Sequence, residues 1–422
     1  MTKINQVLFK IKEQYFNHTT LYNCVILSVL YFANCWNGYV SYFVFLILFC
    51  MVIFSEQEEG FSCLVFSVPF CLLKPMESVI MYAVCLLTFF VKYLVKNPYC
   101  LKFENSISGV LFVVFLGMQL VNFGEFNYNW FYKFCLIICL YFLIKILAKQ
   151  PEFLNFSKNV KVFASGIIVS AVFGVVCFNS AYLNSYIERI WLNQNILRYS
   201  ALFQHTNVLA MVCAIEMSFL CFEIMKKPEK STCLKLFVAL LVIGLSTFSK
   251  TFLILASVIC LTLFIWSIKN KEQTVFFTFS CTIGFALIFL LLSSTIRNVL
   301  FDRFMNNFEN CKSFGDFVNL VTTGRLGLWK GYLKEIGSSP INLLFGKGLG
   351  AGIVGIESSH NMYITLVYQL GIVGTILLLT CLVLEAKPLF TNLKNSHSWI
   401  IVATFLLLFM VEDFVFYINF KY

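Results

Sequence analysis

Long apolar runs alternate with short polar connections along the whole chain. The runs fall at Leu21–Trp36, Ser41–Phe54, Phe61–Leu73, Val79–Val95, Ser106–Val121, Trp130–Leu147, Val160–Asn179, Thr206–Met225, Cys233–Phe248, Thr251–Ile268, Thr274–Ser293, Met362–Leu384 and Trp399–Tyr417. A helix crosses a hydrocarbon core of about 30 Å in roughly 20 residues, so Val160–Asn179, Thr274–Ser293 and Met362–Leu384 are each long enough alone. Backbone polar groups must be satisfied within each segment in lipid, and an apolar run of that length does so as a helix. The pattern predicts an all-α, polytopic integral membrane protein with about 12–13 transmembrane helices, residues 1–422 forming one domain. Phe61–Leu73 is short and is followed by Lys74 and Pro75, which fits a re-entrant segment as well as a span.

Composition strengthens that reading. Hydrophobic residues make up 59% of the chain and charged residues 12%, against about a quarter in soluble domains. Lys3, Lys10, Lys12 and Glu13 precede the polar run Asn17–Thr20, without the pattern of a cleaved signal peptide, so the first apolar run is expected to remain as a membrane helix. The 17 cysteines lie almost entirely inside apolar runs, as Cys135, Cys139, Cys213 and Cys260 do, where they behave as small hydrophobes. Cys311 alone falls in the longest polar loop, and no Cys/His cluster has metal-ligand spacing. We therefore expect no metal, no cofactor and no structural disulfide. The net charge of +10 is spread over many short loops, which points to topology and membrane lipids rather than nucleic acid.

Lysines set the orientation. With the N-terminus inside, the inner connections hold Lys3, Lys10, Lys12, Lys96, Lys102, Lys149, Lys158, Lys226, Lys227, Lys230, Lys269, Lys271, Lys387 and Lys394, as the positive-inside rule asks. The same count places Ser180–His205 and Ser294–Asn361 outside, and the second of these (residues 294–361) is too long for a simple turn. All five arginines, Arg189, Arg198, Arg297, Arg303 and Arg325, belong to these two stretches. Arginine's planar fork binds phosphate oxygens two at a time, whereas lysine acts as a point charge. Arginine reserved for one side predicts an anionic, phosphorylated substrate on that side.

Each outer stretch then offers particular side chains. Arg198 precedes the run beginning at Thr206, and Asn207 is placed to cap that helix, leaving Arg198 at its positive end. The alternative is a snorkelling interfacial arginine. Ser249-Lys250-Thr251 forms a tight hinge between two runs, where Lys250 either faces a phosphate or marks the headgroup layer. In the long loop, Leu326, Trp329, Leu333 and Ile336 recur at helical spacing, predicting a short amphipathic helix begun by Thr322 or Thr323, headed by Arg325 and ended by Pro340. Gly346, Gly348, Gly350 and Gly352 read as a flexible turn without the strand–helix context of a nucleotide site. His360 sits at the mouth of the next membrane run beside Asn361 and Tyr363, as a general base or as a capping histidine. His205 is a secondary candidate. Gly371 and Gly374 would permit close helix packing. Glu216, Lys92, Lys133 and Lys145 lie within or near apolar runs, either as functional charges or as ion pairs between helices.

Taken in order, Arg198 with Asn207-Val208-Leu209-Ala210, Ser249-Lys250-Thr251, Gly324-Arg325 with Trp329, Phe345-Gly346-Lys347-Gly348-Leu349-Gly350, and His360-Asn361-Met362-Tyr363 with Gly371-Ile372-Val373-Gly374 resemble the pattern of bacterial O-antigen polymerases and O-antigen ligases. The resemblance covers roughly the C-terminal half. Family members often have Asn-Pro where this chain has His205-Thr206, and Ser-Arg where it has Ser249-Lys250.

The resemblance implies a fold similar to the metal-independent, lipid-donor glycosyltransferases. It implies an enzyme of the bacterial plasma membrane, with a cytoplasmic N-terminus, that joins undecaprenyl-diphosphate-linked glycans on the outer face, with a chain-length regulator as a further partner. Catalysis would fall to His360, Arg325 and Arg198, with Lys250, Arg303, Asn207, Tyr363 and Asn361 contacting phosphate or sugar. A ligase delivering polymer to lipid A–core, and a flippase for the same lipid-linked sugars, are the competing expectations. A non-catalytic scaffold would not need arginines, a histidine and a tyrosine gathered on one face.

Overall fold

The computed structural model describes residues 3–70, 75–96, 107–121, 128–149, 155–185, 187, 190–192, 196–203, 205–226, 230–294, 313, 316, 325–352, 359–392 and 399–411. Its elements are α1 (Lys3–Asn34), α2 (Val40–Phe54), α3 (Gln57–Ser67), α4 (Pro75–Lys96), α5 (Ile107–Val121), α6 (Tyr128–Lys149), α7 (Phe156–Val176), α8 (Ala181–Asn184), α9 (Thr206–Lys226), α10 (Lys230–Leu245), α11 (Lys250–Lys269), α12 (Gln273–Leu292), α13 (Arg325–Ile336), α14 (Pro340–Phe345), α15 (Met362–Asn392) and α16 (Trp399–Val411). Two short antiparallel strands, β1 (Ile190–Leu192) and β2 (Ile196–Arg198), interrupt this helical chain.

Every apolar run coincides with a helix, with instructive shifts. α1 begins upstream of Leu21, at Lys3. α3 begins at Gln57, where Glu58 and Glu59 favour a helix start, and passes into a single 3₁₀ turn at Val68–Phe70 that contains Pro69. It is too short to span. Among the described residues, four helices are long and apolar enough to cross a membrane: α7, α9, α11 and the Met362–Lys387 part of α15. Thr19–Asn34, α2, α5 and Ser231–Leu245 are shorter apolar helices. The chain is thus an all-α membrane protein.

The helices gather into two units, Met1–Tyr99 with Glu152–Thr282, and Cys100–Pro151 with Ile283–Tyr422. In the first unit α9 is central, packed by α7, α10 and α11 and buried along nearly its whole length. Ala210, Cys213, Ala214, Ser218 and Cys221 are small enough to let those neighbours approach closely. A second core joins α1–α4 to α7, with Tyr31 stacked on Phe70 at 4.2 Å and Leu48, Phe66 and Phe89 around them. Where α3 crosses α7, Lys158 Nζ lies 3.2 Å from Glu58 Oε1 and Ser62 donates to Asn159 Oδ1 at 2.9 Å. Lys92 donates to the oxygens of Val52, at 2.9 Å, and Ser55, filling acceptors at the end of α2.

In the second unit α15 is central, against α5, α6 and α16. Phe112 stacks on Tyr141 at 3.8 Å, with Phe115, Leu366 and Leu370 nearby. Glu385 accepts from Ser108 and from Tyr141 at 3.0 Å, and Lys145 Nζ lies 4.0 Å from its carboxylate. This answers one question the sequence leaves open, since the membrane-level Lys145 is matched by Glu385. Glu216 is only 1% exposed, and its Oε1 has no hydrogen-bond partner among the described residues.

Candidate functional site

Arg198 is the last residue of β2, where it pairs with Ile190. The next residue, Tyr199, fixes the chain here. Its amide donates to Ser246 O at 3.0 Å, and its hydroxyl donates to Ala171 O on α7. Gly174 makes room for this plug, because a Cβ there would lie 2.6 Å from the Tyr199 hydroxyl. With its backbone anchored, Arg198 turns inward and is only 9% exposed. Its Nε donates to Thr247 O at 3.0 Å and one Nη2 hydrogen goes to Asn207 Oδ1 at 3.1 Å. The guanidinium is thus held by protein oxygens rather than extended to the surface.

Asn207 does not cap α9. The helix begins one residue earlier, and His205 supplies the oxygen to which the amides of Val208 and Leu209 donate. The Asn207 side chain is instead an acceptor for Arg198. Across from it, Thr247 Oγ1 donates to Gly244 O at 2.6 Å and accepts from Ser249 N, Phe248 turns at φ +50°, and Ser249 caps α11. Lys250 is the first residue of α11 and half-buried. Arg198 thus bridges the N-terminal ends of α9 and α11, with Lys250 in the same turn. α9 and α11 begin at this end and α7 and α10 finish there, so the helix dipoles offset and the guanidinium and ammonium groups carry its positive charge. Lys226 and Lys269 close the opposite ends of α9 and α11.

The second unit holds Arg325 and His360. Arg325 heads α13 as its spacing predicts, while Thr322 and Thr323, its proposed caps, lie outside the described residues, as does Arg303. The buried face of α13 differs from expectation: Tyr332 and Ile336 pack on Tyr368, Ile364 and Val367 of α15, and Leu333 is 55% exposed. Helical spacing alone does not set which of two neighbouring apolar residues turns inward, and the T-shaped contact of Tyr332 with Tyr368 decides it here. One turn after Arg325, Trp329 Nε1 donates to Ser359 O at 2.9 Å. That bond holds α13 against the turn carrying His360.

His360 adopts a left-handed conformation, φ +50°, between Ser359, which is fully buried, and the largely buried Asn361. Asn361 caps α15, its Oδ1 accepting from the amides of Tyr363 at 3.1 Å and Ile364 at 3.2 Å. Ser359 Oγ accepts from Asn361 N at 3.0 Å and lies 2.7 Å from Thr365 Oγ1. The backbone around the imidazole is therefore rigid and the ring itself half-exposed. Tyr363 donates to Leu406 O on α16 at 3.2 Å, which draws its hydroxyl toward that helix.

Three expectations about the glycines and Pro340 are corrected. Pro340 does not end α13, which stops at Ile336; it begins α14 at the position where a missing N–H costs nothing, behind the Ser339 cap. The turn after α14 is fixed rather than flexible. Gly346, Gly348 and Gly350 all have positive φ, and the amides of Lys347 and Gly348 donate to Tyr368 O and Gln369 O, both at 2.9 Å. Those carbonyls are released because Gly371, at φ +69° and ψ 176°, breaks α15. A Cβ on Gly371 would lie 2.5 Å from Gly346 N, and one on Gly346 would lie 2.5 Å from Gly371 N. Gly371 is thus a helix break meeting a loop, and only Gly374 packs helix to helix, facing Met118 and Gln119 of α5.

The sequence reading passed over the polar groups at this break. Gln119 is wholly buried with neither amide atom hydrogen-bonded among the described residues, and Gln369 Oε1 and Thr375 Oγ1 are likewise without partners. A glutamine inside an apolar run is the signal that identifies such positions. The chain matches no family model, no curated protein and no solved structure.

Proposed function

We propose that the chain is an O-antigen or capsular polysaccharide polymerase, a metal-independent glycosyltransferase of the bacterial plasma membrane acting on undecaprenyl-diphosphate-linked oligosaccharides at the outer face. The observation that carries this reading is the pair of bonds from Arg198 to Thr247 O and Asn207 Oδ1, which set a guanidinium between the first turn of α9 and the α10–α11 turn that leads to Lys250. Such a site suits a diphosphate.

In this reading Arg198 and Arg325 are each assigned to phosphate of the donor glycan, as the resemblance implies. His360 orients an acceptor sugar hydroxyl and takes its proton as the oxygen attacks the anomeric carbon. The carbon–oxygen bond to diphosphate breaks, a glycosidic bond forms with inversion, and undecaprenyl diphosphate leaves with its charge met by the arginines. Stabilising charge in a water-poor site is usually the largest catalytic contribution, and a positioned base adds about 10²–10⁴-fold. Lys250, Arg303 and Tyr363 serve phosphate or sugar; Asn207 and Asn361 hold Arg198 and the His360 turn.

One observation favours a second reading, a flippase for the same lipid. α15 is discontinuous at Gly371, and broken helices near buried polar groups recur in transporters. Polysaccharide gels of a deletion strain separate the readings. A single repeat unit on core means polymerase, long chains left on carrier lipid mean ligase, and no outward transfer means flippase.

A further inference from the structure

The segment around α14 belongs to sequence that reads as a polar loop, yet it meets α15 well inside the apolar span. Gly346 lies against Gly371, and the Lys347 and Gly348 amides bond Tyr368 and Gln369. Gly371 lies nine residues beyond Met362, inside the 26-residue candidate span Met362–Lys387. Whichever roughly 20 of those residues fill the hydrocarbon, Gly371 is at least about three residues inside it, and at most about nine. At 1.5 Å per residue this is a depth of about 5–14 Å.

At that depth α14 has no buried residue, and Ile341 is 68%, Leu343 38%, Leu344 43% and Phe345 39% exposed. The same exposure continues on α15 through Ile372, Ile376, Leu379 and Val383, spaced along one helical face. Lys330 and Lys334, on α13, are also exposed. Irregular backbone is tolerated at membrane depth where protein satisfies it, and the break in α15 is satisfied by the loop amides.

We infer that α14 is a re-entrant segment whose Ile341, Leu344 and Phe345 lie among the acyl chains of membrane lipids, continuous with the lipid-facing stripe of α15. This rests on α15 crossing the bilayer, not on the glycosyltransferase reading. The test uses the full chain in phosphatidylcholine vesicles, with lipids brominated at mid-chain as one quencher and aqueous iodide as the other. Leu344→Trp and the milder Phe345→Trp each add a fluorophore, read as a difference from the parent protein, with Lys330→Trp, at an exposed charged position of α13, as the comparison. We expect the added emission at 344 and 345 to be quenched at least twofold more by bromolipid than at 330, and to be insensitive to iodide. Quenching by iodide but not by bromolipid at either position overturns the inference. Should Leu344→Trp fail to fold, Phe345→Trp alone decides.

Discussion

The indole of Trp329 donates to the main-chain oxygen of Ser359 at 2.9 Å, and this bond fastens the helix that begins at Arg325 to the residue before His360. The tryptophan thereby links the helix headed by Arg325 to the turn that carries His360. Trp329→Phe keeps the ring and removes the donor. A stranded buried carbonyl costs about 1–3 kcal/mol of stability, so the thermal unfolding midpoint in detergent should fall, and on the polymerase proposal glycan chains on gels should shorten at matched membrane levels.

Asn207 tests whether Arg198 acts through its charge. Asn207→Asp preserves the acceptor oxygen at 3.1 Å but places an anion on the guanidinium. Folding should be retained, by thermal unfolding in detergent, while on the proposed reading binding of undecaprenyl diphosphate weakens at least tenfold. A purely structural Arg198 would be held as well or better by the aspartate, with binding unchanged.

Gly371 and Gly374 should respond differently to the same methyl. Gly371→Ala puts a side chain at positive φ and 2.5 Å from Gly346 N, a clash with backbone that cannot move aside. A loss of at least about 2 kcal/mol is expected, seen as aggregation on extraction. Gly374→Ala meets the end of Met118, a flexible side chain, at 2.6 Å, and should extract as a folded protein.

Glu385 answers the charge of Lys145, which is only 4% exposed. Glu385→Leu removes the carboxylate that faces that ammonium and accepts from Ser108 and Tyr141, and should lower stability by about 3–5 kcal/mol, the cost of removing one partner of a buried pair. The double substitution Glu385→Leu with Lys145→Met removes both charges and should restore most of the lost thermal stability.

The helices were legible because a bilayer demands them. Nearly every run from Ser41 to Trp399 begins or ends within a few residues of an observed helix, since apolar length alone dictates the element. The chemistry was legible as residue type but not as geometry. Arg198 and Asn207 stand nine residues apart and invite pairing, yet the partner that orients the guanidinium is the Thr247 main-chain oxygen, which carries no side-chain signature. Gly371-Ile372-Val373-Gly374 reads as a packing motif because small residues serve that role, whereas the break depends on φ at Gly371 and on a loop distant in sequence. Tyr332 replaced Leu333 in the core because amphipathic spacing fixes a face only to within a residue.

The most direct test of the proposed chemistry is polysaccharide chain length in cells carrying Arg198→Lys, Arg325→Lys or His360→Asn at matched protein levels. Lysine keeps the charge and loses the fork, and asparagine tolerates the φ of +50° at His360 while removing the base. Cells with any of the three are expected to carry single repeat units in place of long chains. Polymer of wild-type length from Arg198→Lys, or from both Arg325→Lys and His360→Asn, contradicts the proposal.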